Sequence, residues 1–269
     1  MDFPNIDPVI LHIWGPISLN WYGLMYLLGF AGAWWMATAR SKAPNSPYNA
    51  EQVSDFLFYG FLGVVLGGRV GYVIFYQPGM FLDDPLYLFK IYDGGMSFHG
   101  GLLGVLVAFL YFARKSKTTF FQIADYFAPM VPIGLATGRF GNFINAELWG
   151  KEVADPQMVP WAMKFPGAGD VYRHPSMLYE CILEGIVLFV ILYFFSRKPK
   201  PRMAVSGMFL LGYGSFRFIV EYWREPDAHL RELAEFLSMG QILSLPMIIV
   251  GLLLIGFAYK NNSLSEKTA

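Results

Sequence analysis

The sequence predicts an all-α, polytopic membrane protein with seven transmembrane helices and a small extramembrane cap. Of its 269 residues, 55% are hydrophobic and 15% are charged, whereas about a quarter of a soluble domain is charged. The surplus of apolar side chains must therefore face lipid. Two uncharged runs support this interpretation, since Trp21–Ala39 and Met239–Tyr259 approach or reach the ~20 residues that cross a bilayer.

Seven apolar stretches are the predicted spans, and charge interrupts the second, fourth and sixth of them. A polar connection at about 148–174 follows the fourth span and is predicted to form the cap. Glycines recur every four residues in the second and fourth spans, a spacing that lets helices pack closely in lipid. The spans are 17–39, 55–77, 98–113, 120–144, 175–196, 203–223 and 239–259. The glycines are Gly63, Gly67, Gly71, Gly134 and Gly138.

Lysine and arginine are concentrated in alternate loops, and cytoplasmic loops carry the excess of these residues. The N-terminus is therefore predicted to lie outside and the C-terminus inside. The first ten residues, MDFPNIDPVI, lack the positive charge and cleavage site of a signal peptide, so the first span is expected to be retained. The loops assigned to the cytoplasm carry Arg40, Lys42, Arg114, Lys115, Lys117, Arg197, Lys198, Lys200, Arg202, Lys260 and Lys267. The opposite loops carry Lys90, Lys151, Lys164, Arg173, Arg224 and Arg231.

Composition and motifs exclude several classes of function. A formal net charge of zero argues against a nucleic-acid partner. Cys181 is the single cysteine, so no intrachain disulfide can form. The sequence has no H-E-x-x-H motif, and Asp93–Gly94 stands without the aspartate series of metal-dependent lipid phosphotransferases. We therefore expect neither a metal ion nor a cofactor.

Polar residues of six spans fall at one predicted depth. At about 1.5 Å per residue, Arg69 and Arg217 lie roughly 20 Å above the cytoplasmic ends of their helices. Because buried ionisable groups in a bilayer face a cavity or a partner, this agreement predicts one polar cavity near the outer leaflet. The alternative is a set of interfacial side chains that extend to the headgroups. The other members of the layer are Tyr22, His99, Arg139, Asn142, Glu180 and Glu184.

Helical spacing predicts which of these side chains share a face. Tyr213, Arg217 and Glu221 are four residues apart and form a stripe. Arg217 then either pairs internally with Glu221 or is held for an anionic ligand. Glu180 and Glu184 also share a face, and pairing with a neighbouring arginine is the favoured interpretation.

His99 lies between two glycine pairs in the sequence GGMSFHGG, where an irregular backbone and close approach of a ligand are possible. Histidine exchanges protons readily near neutrality, so a structural and a catalytic role are both open. Arginines bind phosphate with paired hydrogen bonds, and a histidine beside them can act as a general base. The constellation favours group transfer from a phospholipid. An anion transporter and a non-catalytic lipid-binding scaffold are the alternatives.

Five motifs together resemble the prolipoprotein diacylglyceryl transferase family of the bacterial inner membrane. The similarity runs from about Asp7 to Tyr259. The connection at 148–174 is short for that family. The motifs are NWYGLMY, DGGMSFHGGL, GRFGNFINAELWG, RHPSMLYE and GYGSFRFIVEYWREPD.

The resemblance implies a seven-span enzyme with a periplasmic cap that takes phosphatidylglycerol from surrounding membrane lipids. It implies transfer of the diacylglyceryl group to the lipobox cysteine of a preprolipoprotein signal peptide, with release of glycerol phosphate. Arg139 would contact the phosphatidylglycerol headgroup, and His99 matches an essential histidine. The implied catalytic residues are Tyr22, His99, Arg139, Arg217 and Glu221, and the implied substrate-binding residues are Arg139, Asn142, Glu147, Gly150, Tyr213 and Arg217. The proton acceptor is left open between His99 as base and an arginine field that lowers the pKa of the thiol.

Overall fold

A computed structural model describes residues 1–4, 6–14, 17–44, 46–90, 94–225 and 237–268, with side chains described to residue 261 apart from that of Ile17. Asp93 and the Pro226–Asp227 end of the last motif lie outside the described residues, as does Arg231 of the loops assigned to the outer side.

The described chain is mostly helical and carries helices suited to a membrane. Within the described residues, three helices are long and apolar enough to cross a bilayer, namely Ala50–Tyr76, Ser176–Ser196 and Met239–Asn261. Large apolar side chains stand exposed on these helices, Phe75 among them, as expected of surfaces that contact lipid. The helices are α1 (Trp21–Ser41), α2 (Ala50–Tyr76), α3 (Pro78–Asp83), α4 (Phe98–Lys115), α5 (Phe120–Phe127), α6 (Val131–Ile144), α7 (Ser176–Glu180), α8 (Leu188–Ser196), α9 (Ala204–Val220) and α10 (Met239–Thr268). Short 3₁₀ turns cover Pro85–Phe89 and Ala128–Met130.

A two-stranded antiparallel sheet precedes the first helix, so the all-α prediction is incomplete. Strand β1 (Val9–Trp14) pairs with β2 (Ile17–Asn20). The residues of β2 were predicted to belong to the first span, 17–39. The physical reason is the alternation of apolar and polar residues in ISLN, which has the period of a strand. The helix begins only at Trp21, whose N–H donates to the carbonyl of Pro8 at 3.1 Å.

The predicted span at 120–144 is divided rather than continuous. Helix α5 ends at Phe127, a 3₁₀ turn follows, and α6 begins at Val131. Pro129 and Pro132 lie at this junction, and proline removes the N–H that a continuous helix needs. Asp125, in the last turn of α5, accepts hydrogen bonds from backbone N–H groups at the start of α9. Those of Met203 and Ser206 lie 2.7 Å from its carboxylate oxygens.

The chain divides into two compact units, a larger one (Met1–Ala33 with Asp125–Ala269) and a smaller one (Trp34–Ala124). In the smaller unit α2 packs on α4 through glycines. A Cβ added at Gly67 would lie 2.4 Å from the carbonyl oxygen of Gly100, and one at Gly63 would lie 2.6 Å from that of Gly104. The predicted close packing is confirmed for α2.

In the larger unit α6 packs on the helix Ser176–Ser196. A Cβ at Gly185 would lie 2.5 Å from that of Ala136. A π-helical segment, Cys181–Val187, joins α7 to α8 at this contact. The predicted packing of Gly138 is wrong, since a Cβ there would meet no described atom within 4 Å.

Candidate functional site

Glu180 is the centre of a charged cluster in the larger unit. Its side chain is 2% exposed, and its two oxygens contact two different arginines. Arg139 Nε on α6 lies 2.5 Å from Glu180 Oε2, and Arg217 Nη1 on α9 lies 2.5 Å from Oε1. A carboxylate at the end of α7 therefore joins three helices. The close approach of α6 to the helix Ser176–Ser196 at Gly185 brings Arg139 within reach of Glu180.

Arg217 also contacts a second carboxylate, that of Glu221. The distance from Arg217 Nη2 to Glu221 Oε1 is 2.5 Å, and the two residues are one helical turn apart. This confirms the internal pair that the stripe on the sixth predicted span offered as one interpretation. Glu221 Oε2 accepts a hydrogen bond from Ser238 Oγ at 2.6 Å. The backbone of Gly240 lies so close that an added Cβ would be 2.3 Å from the Glu221 carboxyl carbon.

Arg224 completes the positive side of the cluster. Its Nη1 lies 3.8 Å from Glu180 Oε1 and 3.7 Å from Glu221 Oε1. The sequence-based prediction placed Arg224 only among the outer loops and missed it as part of the site. The signal was present, because Glu221 and Arg224 are three residues apart, a spacing at which helical side chains meet.

Glu184 lies on the π-helical segment and is fully buried. Its Oε1 lies 3.9 Å from Arg217 Nη1, and neither of its oxygens has a hydrogen-bond partner among the described residues. Tyr213, half-buried on α9, interacts electrostatically with Glu184 and Arg217. π-helical turns occur frequently at functional sites, and here the turn places a carboxylate in the interior of the cluster.

The motif GRFGNFINAELWG adds a second chain of polar contacts to the cluster. Arg139 Nη1 donates to Asn142 Oδ1 at 3.3 Å, and Asn142 Nδ2 donates to Glu147 Oε1 at 2.8 Å. Glu147 can turn back toward α6 because Ala146 and Leu148 on either side have left-handed φ angles of 53° and 59°. Such angles are strained for residues other than glycine, and strain of this kind clusters at functional sites.

Tyr22, at the start of α1, lies against the same turn of α6. Its ring packs on Gly141, where an added Cβ would lie 3.0 Å from the ring. The Tyr22 side chain contacts that of Asn142, and its hydroxyl lies 3.1 Å from the hydroxyl of Tyr26. The predicted first-span tyrosine is thus connected to Arg139 through Asn142.

Gly150 ties the connection at 148–174 to the end of α9. Its N–H donates to the carbonyl of His174 at 2.8 Å, and a Cβ would lie 2.3 Å from the carbonyl oxygen of Trp223. The N–H of Lys151 donates to that same Trp223 oxygen at 2.8 Å. Only glycine fits this approach, and contact of Gly150 with substrate stays a prediction. Burial lowers the pKa of His174.

His99 belongs to the smaller unit, which is described by itself. It is exposed and lies in the first turn of α4, directly after the capping residue Ser97 and Phe98. The Phe98 ring meets the His99 ring edge-on, with 5.6 Å between centroids. Its predicted place beside the arginines stays a prediction.

The structure thus brings together most of the predicted residues of the larger unit: Tyr22, Arg139, Asn142, Glu147, Tyr213, Arg217 and Glu221. Sequence reasoning missed Ser238 and Gly240, which follow 226–236 and have no motif of their own. Among the described residues, no group of three or more His, Cys, Asp or Glu side chains could hold a metal ion.

Partly buried arginines paired with buried glutamates on apolar helices define the class of protein: a membrane protein with an internal cluster of charged side chains. Comparison with known proteins makes the class specific. The sequence profile of the prolipoprotein diacylglyceryl transferase family matches residues 8–257. The chain therefore belongs to the prolipoprotein diacylglyceryl transferase family.

Curated relatives match over nearly the full length of both chains. A protein of Vibrio vulnificus is 61% identical over 99% of this chain and 97% of its own. Proteins of Vibrio atlanticus and Photobacterium profundum are each 60% identical, over 99% and 97% of this chain and 96% of their own. All three are named phosphatidylglycerol–prolipoprotein diacylglyceryl transferase.

Proposed function

We propose that this chain transfers the diacylglyceryl group of phosphatidylglycerol to the lipobox cysteine of a preprolipoprotein. Family membership supports the activity, and one observation carries the assignment of the site. Arg139 and Arg217, on different helices, converge on the two oxygens of the single carboxylate of Glu180. Two guanidinium groups held this way suit the two free oxygens of a phosphodiester, which arginine binds through paired hydrogen bonds.

The proposed reaction forms one bond and breaks one. The cysteine sulfur attacks the glycerol carbon next to the phosphate and forms a thioether. The bond from that carbon to the phosphate oxygen breaks, and glycerol phosphate leaves with the electron pair. Negative charge grows on the leaving oxygen, and Arg139 and Arg217 are the groups we place against it, because prearranged cations stabilise such a transition state.

The thiol must lose its proton, since the thiolate is the nucleophile and a free cysteine has a pKa near 8.5. We propose His99 as the base, because it is exposed and lies in the first turn of α4, where a second substrate can reach it. In the alternative, the arginines lower the pKa of the thiol and His99 only positions the substrate.

The proposal includes seven spans in the bacterial inner membrane, with the N-terminus periplasmic and the C-terminus cytoplasmic. The bias of lysine and arginine between alternate loops supports this orientation. Under it, the connection at 148–174 forms a periplasmic cap and the active site opens toward the periplasmic leaflet.

Arg139→Ala tests the headgroup role. Purified protein is mixed with phosphatidylglycerol and a lipobox peptide, and the diacylglyceryl adduct is measured by mass spectrometry. We expect turnover to fall by about 10²–10³, the usual cost of removing one group that stabilises developing charge. Arg114→Ala is the matched control, because Arg114 is exposed at the end of α4 and donates a hydrogen bond to its own helix at Leu110. Turnover by Arg139→Ala equal to that of the control would refute the headgroup role.

A further inference from the structure

Arg69 on α2 is buried, with 2% of its surface exposed. Depth alone groups it with Arg139 and Arg217 as a candidate anion contact. An arginine in an apolar helix needs hydrogen-bond acceptors nearby, because a charged side chain without partners in a membrane costs on the order of 3 kcal/mol. The acceptors that Arg69 uses therefore decide its role.

All five N–H groups of Arg69 have acceptors, and each acceptor is a backbone carbonyl. A guanidinium group carries five N–H donors and no acceptor. Nε donates to Leu88 at 3.1 Å, Nη1 to Gly94 at 2.5 Å and Gly95 at 3.3 Å, and Nη2 to Tyr87 at 2.6 Å and Lys90 at 3.0 Å. With its donors used in this way, Arg69 has none left for a phosphate.

Two aromatic rings enclose the same guanidinium. Its central carbon lies 4.8 Å from the ring centroid of Tyr87 and 5.8 Å from that of Tyr72. Both distances are within the ~6 Å at which a cation is attracted to an aromatic face. Lysine could not reproduce this arrangement, since it offers three donors from one point and no planar group to stack.

The segment that Arg69 holds leads directly into His99. The N–H of Ser97 donates to the carbonyl of Gly68 at 2.9 Å, and Ser97 Oγ accepts from the N–H of Gly100 at 3.2 Å, which caps the start of α4. Gly95 has a φ of +83°, and a Cβ there would lie 2.2 Å from the Tyr72 ring. One turn of α2 therefore fixes the backbone from Gly94 to Ser97, two residues before His99.

We propose that Arg69 is a positioning residue, which fixes the segment 94–97 on α2 and acts on the transfer reaction through His99. The inference rests on the proposed role of His99. It assigns to Arg69 a function different from that of Arg139 and Arg217, although all three are arginines in apolar helices.

A double-mutant cycle tests the route through His99. We expect Arg69→Lys to lower kcat about 10- to 100-fold, the effect of a small misplacement of a catalytic group, and to leave KM for phosphatidylglycerol unchanged. In a His99→Gln background, Arg69→Lys should change kcat by no more than about twofold, because the group it positions is already lost. Equal fold-losses in both backgrounds would overturn the inference. Arg114→Lys is the matched control.

Hydrogen exchange of residues 94–101 tests the backbone clamp without using activity. Exchange should be faster in Arg69→Lys than in Arg114→Lys, since the amide of Ser97 donates to Gly68 on α2 and the amide of Gly101 donates to Ser97. Unchanged exchange would overturn the clamp. Wild-type turnover in His99→Gln alone would instead overturn the proposed role of His99, and with it the route by which Arg69 acts.

Gly95→Ala provides a second variant if Arg69→Lys does not accumulate in membranes. It disturbs the same contact from the opposite side, through the positive φ and the Tyr72 ring. The same loss of kcat and faster exchange in 94–101 are expected, and wild-type values of both would refute the inference.

Discussion

Glu180→Gln is the substitution that most directly tests the charged cluster. It keeps the size of the side chain and one oxygen acceptor but removes the negative charge that lies 2.5 Å from both Arg139 and Arg217. Removing one partner of a buried ion pair costs about 3–5 kcal/mol, because the opposite charge is left without compensation. Here two arginines lose the same carboxylate, although each keeps other contacts.

Thermal unfolding of the purified protein in detergent measures this effect. A loss of about 3–5 kcal/mol corresponds to a fall in Tm of roughly 6–20 °C for a chain of this size. Glu152→Gln is the matched control, since Glu152 is exposed in the connection at 148–174. It should change stability by no more than about 0.5 kcal/mol.

Unfolding of Glu180→Gln at the same temperature as Glu152→Gln would refute this expectation. Such a result would mean that water or the remaining carboxylates compensate the arginines fully. A fall in Tm that disappears on addition of phosphatidylglycerol would support the charge-compensation role further, because a bound phosphate would replace the lost charge.

Two smaller changes test the packing around this site. Gly240→Ala should lower both Tm and turnover, because the added Cβ would lie 2.3 Å from the carboxyl carbon of Glu221. Gly256→Ala is the control, because a Cβ there would meet no described atom within 4 Å. Asp125→Asn should lower the free energy of unfolding by about 1 kcal/mol, because its carboxylate accepts hydrogen bonds from backbone N–H groups at the start of α9. KM for phosphatidylglycerol should stay unchanged, and a changed KM would contradict this purely structural role.

Local spacing predicted those contacts that lie within one helix. Arg217 and Glu221 are one turn apart, so their pair could be read from the sequence. The sequence also favoured the pairing of Glu180 with a neighbouring arginine. It did not predict that Arg139 and Arg217 share the Glu180 carboxylate. That sharing depends on how α6, α7 and α9 cross, and the spacing of residues along one helix carries no information about such crossings.

Depth predicted a common layer but could not separate roles within it. Arg69 was grouped with the cluster arginines, yet it bonds to carbonyls of a segment about twenty residues further along the chain. The strand Ile17–Asn20 was missed because the sequence pattern does not show its backbone partners. This short alternating stretch adjoins a long apolar run, so it was assigned to the first span, whereas it pairs with β1.

The contacts of Glu180 affect how an anionic lipid can enter the cluster. Both Arg139 and Arg217 already contact the Glu180 carboxylate. Under the proposed function, a phosphodiester must therefore compete with Glu180 for these two arginines. Glu180→Gln should therefore lower KM for phosphatidylglycerol and also lower kcat, since the arginines lose the carboxylate that orients them. A higher KM in this variant would show instead that Glu180 only holds the arginines in place and is not displaced by the headgroup.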